Sequence, residues 1–242
     1  MVVKVNLELT ASHAVKAVNR GDVIIVIDVL RCSSSILNAL ANGAEKIVPV
    51  MTLKEAYRLH VEHPDFLLAG ERKGMKPERF DLGNSPLEFT QCKVAGKTLI
   101  LTTTSGTVAL SRSSSAEWVL IGAFLNAHAV ASKAMKIAER NKTGISLVLS
   151  GKKGRFSLED FLCGGAIAAR LPREKIELSD AASAALLAFK QAEDNLCETV
   201  MTGEHAQHLV RLGFKDDVEF SSQLDVFKIV PVYADGVITL TR

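Results

Sequence analysis

The chain has 242 residues, 48% of them hydrophobic, with 29 basic against 27 acidic side chains and a formal charge of +2, enough apolar sequence for a large core and too much for disorder. With one Trp, two Tyr and no long basic run, it offers neither a phosphate-tracking groove nor base-stacking platforms, so nucleic acid is not an expected partner. No stretch approaches the roughly 20 apolar residues of a membrane span, and residues 1–9 alternate like a strand instead of forming a secretory signal. A cytoplasmic protein without a membrane partner is expected, and a homo-oligomer stays open.

Residues 23–27 (VIIVI) are continuously apolar and β-branched, the pattern of a strand buried on both faces of a parallel sheet. Beyond the polar cluster that follows, Ile36, Leu37, Leu40 and Ala41 recur at helical spacing until Asn42-Gly43. The cluster Asp28, Arg31, Ser33, Ser34 and Ser35 therefore sits where a strand gives way to a helix. There a helix N-terminus offers free N–H groups and a positive dipole end to an anion. A local Asp28–Arg31 ion pair with Ser33 as helix cap is the plainer alternative.

Residues 44–50 predict a second strand, 54–63 a helix ended by Pro64, and 66–70 a third strand running into the charged loop 70–86. Residues 98–101 (TLIL) then lead into TTTSGT at 102–107, a helix follows, and 116–124 make another strand. At this point the pattern begins again. A shift of 72 sets Ser33-Ser34-Ser35-Ile36 against Ser105-Gly106-Thr107-Val108, and further on FLLAGERKG (66–74) faces SLVLSGKKG (146–154). Two related halves, about 1–95 and 96–242, are expected within one unit. Residues 158–171 and 179–197 read as helices, and the tail from Phe220 alternates and adds strands to the sheet, with Asp225 as its one chemical candidate. The fold class is α/β, a three-layer α/β/α arrangement on a largely parallel sheet.

Several familiar chemistries are excluded by spacing. SGKKG at 150–154 lacks the order of a nucleotide-binding phosphate loop, no Gly-x-Ser-x-Gly elbow occurs, and Asp28 lacks a second Asp two residues on. Cys163 lies before Arg170 with six residues between, in a segment that reads as helix where a Cys-based phosphatase loop needs a compact Gly-rich cradle. Cys32, Cys92, Cys163 and Cys197 have no metal-site spacing and read as reduced thiols, Cys32 as a small buried residue. The six histidines form no evident cluster in the sequence. What remains is carboxylate at strand and loop ends, Asp28, Glu71, Asp81, Glu159 and Asp160, with Arg31 and Arg72 as the matching cations. Hard oxygen ligands beside a phosphate cradle suit Mg²⁺, which takes one or two carboxylates together with water and substrate oxygens. A guanidinium fork holds a phosphate or sulfonate through parallel hydrogen bonds.

The segments DVLRCSSSI with NGA, GERKG with FDLGNSP, TTTSGT, GKKGRFSLED with CGG, and LGFKDDVEFSSQLD resemble the 2-phosphosulfolactate phosphatases, the ComB family, in order from about residue 28 to 231. The resemblance implies a Mg²⁺-dependent phosphatase that hydrolyses 2-phosphosulfolactate to sulfolactate and phosphate in coenzyme M synthesis, a small anionic organic phosphate being its partner. Cys32 stands where the family commonly has Ala, serines where Thr is usual, and Ser105 where Asn is usual, which leaves substrate identity open. The expected catalytic residues are Asp28, Arg31, Arg72, Glu159 and Asp160, and the expected metal ligands Asp28, Glu71 and Asp81. Expected substrate contacts are Ser33, Ser34, Ser35, Asn84, Ser85, Thr103, Thr104, Ser105, Gly106, Thr107, Gly154 and Ser157. The alternatives are a phosphatase of another small phosphorylated 2-hydroxy acid, or a non-catalytic anion binder.

Overall fold

The computed structural model describes residues 2–152 and 154–240. Its strands are β1 (Val3–Glu8), β2 (Val23–Ile27), β3 (Lys46–Pro49), β4 (Leu67–Gly70), β5 (Thr98–Thr102), β6 (Val119–Gly122), β7 (Ile145–Leu149), β8 (Ile176–Leu178), β9 (Pro231–Ala234) and β10 (Val237–Leu240). They form one sheet in the order β4-β5-β3-β10-β9-β6-β2-β7-β1-β8. The helices are α1 (Ala14–Arg20), α2 (Cys32–Ala41), α3 (Leu53–Glu62), α4 (Gln91–Val94), α5 (Gly106–Ser113), α6 (Ala127–Asn141), α7 (Leu158–Ala169), α8 (Asp180–Ala192), α9 (Leu196–Met201), α10 (Glu204–Arg211) and α11 (Lys215–Ser221).

Strand β2 shows why the sheet is covered on both sides. Val23, Ile25 and Ile27 enter a core with Val130 of α6, Ala166 of α7 and Phe189 of α8, whereas Ile24 and Val26 enter another with Ala17 of α1, Leu40 of α2 and Leu110 of α5. The two-residue side-chain period of a strand sends alternate residues to opposite layers, so a strand between two helical layers must be apolar throughout. This is the expected three-layer α/β/α class.

Two parallel blocks, β4-β5-β3 and β6-β2-β7-β1-β8, are joined through the antiparallel pair β9-β10. The pairings β10–β3 and β9–β6 are also antiparallel, so the blocks run in opposite senses. Counting outward from β9 and β10, β6 corresponds to β3, β2 to β5 and β7 to β4. This is the order that two repeated units related by a half-turn would produce. The tail does add strands, although they begin at Pro231; Phe220 and Ser221 still belong to α11.

The predicted helix 179–197 is interrupted. Ser179 caps α8 by accepting from the Ala182 N–H at 3.3 Å, but α8 ends at Ala192, and Glu193–Asn195 form a single 3-10 turn before α9. Asp194 and Asn195 are poor helix formers whose short polar side chains compete with the helical backbone. Helices α1, α4, α10 and α11 have no counterpart in the sequence reading, and α10 and α11 complete the site. Among the described residues, no helix is long and apolar enough to cross a membrane.

Helices α7 and α8 approach so closely that a Cβ on Gly165 would stand 2.0 Å from the Ala185 carbonyl oxygen and 2.8 Å from the Phe189 Cβ. Backbone cannot yield as a flexible side chain can. Gly165→Ala is therefore expected to destabilise the fold by about 1 to 3 kcal/mol, the usual cost of overpacking, read as a lower urea midpoint at unchanged slope.

Candidate active site

A cavity of about 400 Å³ opens beyond the carboxyl ends of β2, β4, β5 and β7, two strands from each block. Asp28 and Arg31 reach it from β2, Glu71 from β4, Thr103, Thr104 and Ser105 from β5, and Gly151 and Lys152 from β7. Glu159 and Asp160 enter from the first turn of α7, and His205, His208 and Leu209 from α10. Ligands of open α/β sheets collect at such strand ends.

The start of α2 is built around Asp28. Its Oδ1 accepts the Cys32 N–H at 3.2 Å, its own N–H donates to Ser33 Oγ at 3.1 Å, and its carbonyl accepts the Ser33 N–H at 2.8 Å. The N-terminus of α5 comes equally close, since a Cβ on Gly106 would meet Cys32 Sγ at 2.5 Å and Asp28 Oδ2 at 2.8 Å. Only a residue without a side chain admits both helix starts beside one carboxylate. Burial pushes the Asp28 carboxyl up to about 6, against the lowering influence of His205 and the Cys32 N–H. Burial and the nearby Asp28 charge likewise push the Cys32 thiol well up, so it is a packing group there.

Each remaining carboxylate on the floor has a defined partner. Asp160 accepts the Val29 N–H at 2.9 Å and the Gly151 N–H at 3.1 Å, tying β2 to the loop after β7. Burial, and then the charges of Glu159 and Asp28, raise its carboxyl well above the ordinary range. Glu71 accepts from the Gly74 N–H and the Thr104 N–H, both at 2.7 Å. Glu159 lies 2.9 Å from His205 Nδ1; burial pushes this carboxyl up, but the His205 hydrogen bond and charge outweigh burial and hold it below its usual value.

Arg31 does not pair with Asp28. Its Nη1 donates to Asp217 of α11 at 2.7 Å, its Nη2 to the Gly74 carbonyl at 2.6 Å, and the guanidinium lies 4.2 Å from the Phe214 ring centroid. Asp217 also accepts from Ser85 Oγ at 2.5 Å. Arg31 thus lines the cavity while bracing its wall. Both members of the ion pair are fully buried, and that geometry replaces the local pair considered from the sequence.

The serine run has internal work. Ser33 lies within α2 rather than capping it, Ser34 Oγ donates to the Val29 carbonyl at 2.8 Å, and Ser35 Oγ donates to the Asn84 carbonyl at 2.7 Å. The structure brings none of the three to the cavity, nor Ser85, Gly106, Thr107, Gly154 or Ser157. Thr103 is at the wall, and its Oγ1 accepts the Thr107 N–H at 3.1 Å at the start of α5. Arg72 points elsewhere, donating to the carbonyls of Glu71 and Met51 and to Thr102 Oγ1. Asp81 is exposed and accepts the Leu68 N–H at 2.8 Å, outside the cavity. Asp225 also lies outside, bound to Arg170 at 2.7 Å and to the His128 N–H.

Sequence reading missed His205, His208, Lys73, Lys152, Arg155 and Asp217. The last four lie in quoted motifs, but the histidines gave no signal, because α10 meets the strand ends only through tertiary packing. The paired basic loops do correspond. Arg72 and Met75 exchange two backbone hydrogen bonds, at 2.9 and 3.2 Å, and Lys152 and Arg155 do the same, both at 3.0 Å. Lys73 from one turn and Lys152 and Arg155 from the other line the cavity.

Such a site, with acids on the floor, cations on two matching turns and ionisable groups perturbed by burial, is that of an α/β enzyme. The chain belongs to the 2-phosphosulpholactate phosphatase family, phosphoric monoester hydrolases, whose pattern it matches over residues 9–236. It is similar to a probable 2-phosphosulfolactate phosphatase of Thermotoga petrophila, 45% identical over 216 residues, 89% of this chain and 91% of that one. It is also similar to one of Clostridium acetobutylicum, 41% identical over 236 residues, 96% and 98% of the two chains, and to one of Clostridium kluyveri, 34% identical over 241 residues, 99% and 98%.

Two outcomes follow from this geometry. Asp217→Asn leaves the Arg31 charge buried beside a neutral amide and is expected to cost about 3 to 5 kcal/mol in urea denaturation, against about 1 kcal/mol or less for an exposed pair. Asp28 acts in the opposite sense. Because its folded pKa of about 6 lies above the ordinary 3.8, the stability that Asp28 contributes falls as pH rises from about 4 to about 6 and then levels. In chelator, Asp28→Asn should therefore melt above the wild type at pH 7, by the equivalent of about 3 kcal/mol, with the gap closing toward pH 4.

Proposed function

We propose that the chain hydrolyses 2-phosphosulfolactate to sulfolactate and phosphate with Mg²⁺, a step suited to coenzyme M synthesis. The observation that carries this reading is a cavity in which buried carboxylates face a cationic mouth, in a chain whose relatives, matched over nearly their whole length, bear that activity's name. A substrate with phosphate, sulfonate and carboxylate needs several cations at once. Lys73, Lys152 and Arg155 supply them from two turns, and Arg31 presents the N–H groups not engaged by Asp217 and Gly74.

The donor set suits Mg²⁺. Among the described residues, no group of three or more His, Cys, Asp or Glu is arranged as a cage, and Mg²⁺ does not require one, since it keeps waters and takes one or two carboxylates with substrate oxygens. The Asn84 Oδ1 is buried at the cavity with no hydrogen-bond donor among the described residues, a hard oxygen whose desolvation a cation would offset. Asp28, Asn84 and Glu71, all at the cavity wall, would hold the ion, which when bound polarises the phosphoryl group and makes water more acidic. Asp81 does not line the cavity and accepts the Leu68 N–H instead. The chain's own residues neutralise the phosphate oxygens through Arg31 and keep the floor rigid through Asp160 and Glu71, so that little reorganisation accompanies the reaction.

Phosphate release is to be measured on 2-phosphosulfolactate and on a panel of phosphorylated 2-hydroxy acids. Hydrolysis of the sulfonate with Mg²⁺, abolished by chelation and restored by Mg²⁺, is expected. Full activity in chelated enzyme would remove the metal from the reading, preference for another acid would change the substrate, and tight binding without turnover would make the protein an anion binder.

A further inference from the structure

We propose that His205 is the catalytic acid that protonates the leaving oxygen, with Glu159 as the residue that positions it. The inference rests on the phosphatase reading and adds a proton donor to it.

The argument begins with the burial of Glu159, whose side chain is 2% exposed, against 23% for the His205 side chain at the cavity wall. A surface ion pair would leave both in water; here the carboxylate lies beneath the imidazole. Glu159 is held below its usual value and so is ionised at neutral pH, when it can only accept. The Nδ1 at 2.9 Å must then carry a hydrogen, and Nε2 is the nitrogen left to exchange a proton within the cavity. A carboxylate that fixes the tautomer and offsets the charge of an imidazolium is the same device used in hydrolytic triads. The two histidines of α10 lie about one turn apart on the same face and differ in their partners. His208 has Lys152 as its neighbour and the Lys73 backbone as its partner, and burial followed by the Lys152 charge keeps it below its ordinary value. His205 alone has a carboxylate behind it.

The chemistry gives this proton a destination. Transfer of a phosphoryl group passes through a loose transition state in which most new charge gathers on the departing oxygen. The P–O bond to the organic acid breaks, its electron pair stays on the alcohol oxygen, and that oxygen takes the Nε2 proton of the imidazolium. The water oxygen bonds to phosphorus and both its hydrogens remain with the phosphate product, which leaves as dihydrogen phosphate and ionises in solution. The neutral imidazole then takes a proton back from solvent.

The test uses full-length enzyme with Mg²⁺, 2-phosphosulfolactate, and its 3,3-difluoro analogue, whose shape is nearly the same but whose leaving alcohol is more acidic. His205→Gln should lower kcat on the parent about 10²- to 10⁴-fold with little change in KM, and should lower it at least about tenfold less on the difluoro ester. Glu159→Gln should show the same leaving-group dependence with a smaller loss. Melting curves confirm that both variants are folded. Equal losses on the two esters, or no loss in His205→Gln, would overturn the acid while leaving the phosphatase reading intact. A wild type that hydrolyses neither ester overturns both.

Discussion

Four carboxylates share one largely water-excluded floor, and most of the local structure answers the cost of placing them there. A buried charge must be paired or hydrogen-bonded, or it neutralises. Asp28 leans on the N-terminus of α2, Asp160 on two backbone N–H groups, Glu71 on two more, and Glu159 on an imidazole. Burial, joined at Asp160 by the charges of Glu159 and Asp28, outweighs those partners and shifts the Asp28 and Asp160 carboxyls upward. The glycine at 106 belongs to the same solution, because it lets a second helix start close against Asp28.

The cations are distributed differently. Arg31 is deep and is anchored by Asp217, Gly74 and Phe214, so it can offer charge to a ligand without being free to move. Lys73, Lys152 and Arg155 stand on two tight turns with the same reciprocal backbone bonds, one after β4 and one after β7. Those strands occupy corresponding places in the two blocks of the sheet, and the cavity lies where the strand ends of both blocks face each other. A ligand with several acidic groups can meet fixed charge below and longer, more flexible side chains above. Rigid floor and adaptable rim are thus separate parts of one site.

The motifs were legible as motifs, less so as functions. Asp28, Arg31, Glu71, Asn84, Thr103 to Ser105, Glu159 and Asp160 do surround one cavity, as their place at strand ends suggested. The three serines look like a phosphate cradle in sequence, yet their hydroxyls serve the local backbone and the Asn84 carbonyl, since a hydroxyl inside a packed helix start finds its nearest acceptor first. Arg72 and Asp81 were misplaced for a related reason: a charged loop has two sides, and spacing does not say which side faces the cavity.

What the sequence determined by itself was local. Continuous β-branched runs required a buried sheet between two helical layers, and the order of motifs pointed to the family. Tertiary structure alone decided that β9 and β10 would join two blocks running in opposite senses, that Asp217 would find Arg31 from 186 residues away, and that His205 would come to rest against Glu159. Periodicity records which face of an element is buried. It carries no record of which distant element covers that face, and the pairing of buried charges depends on that choice.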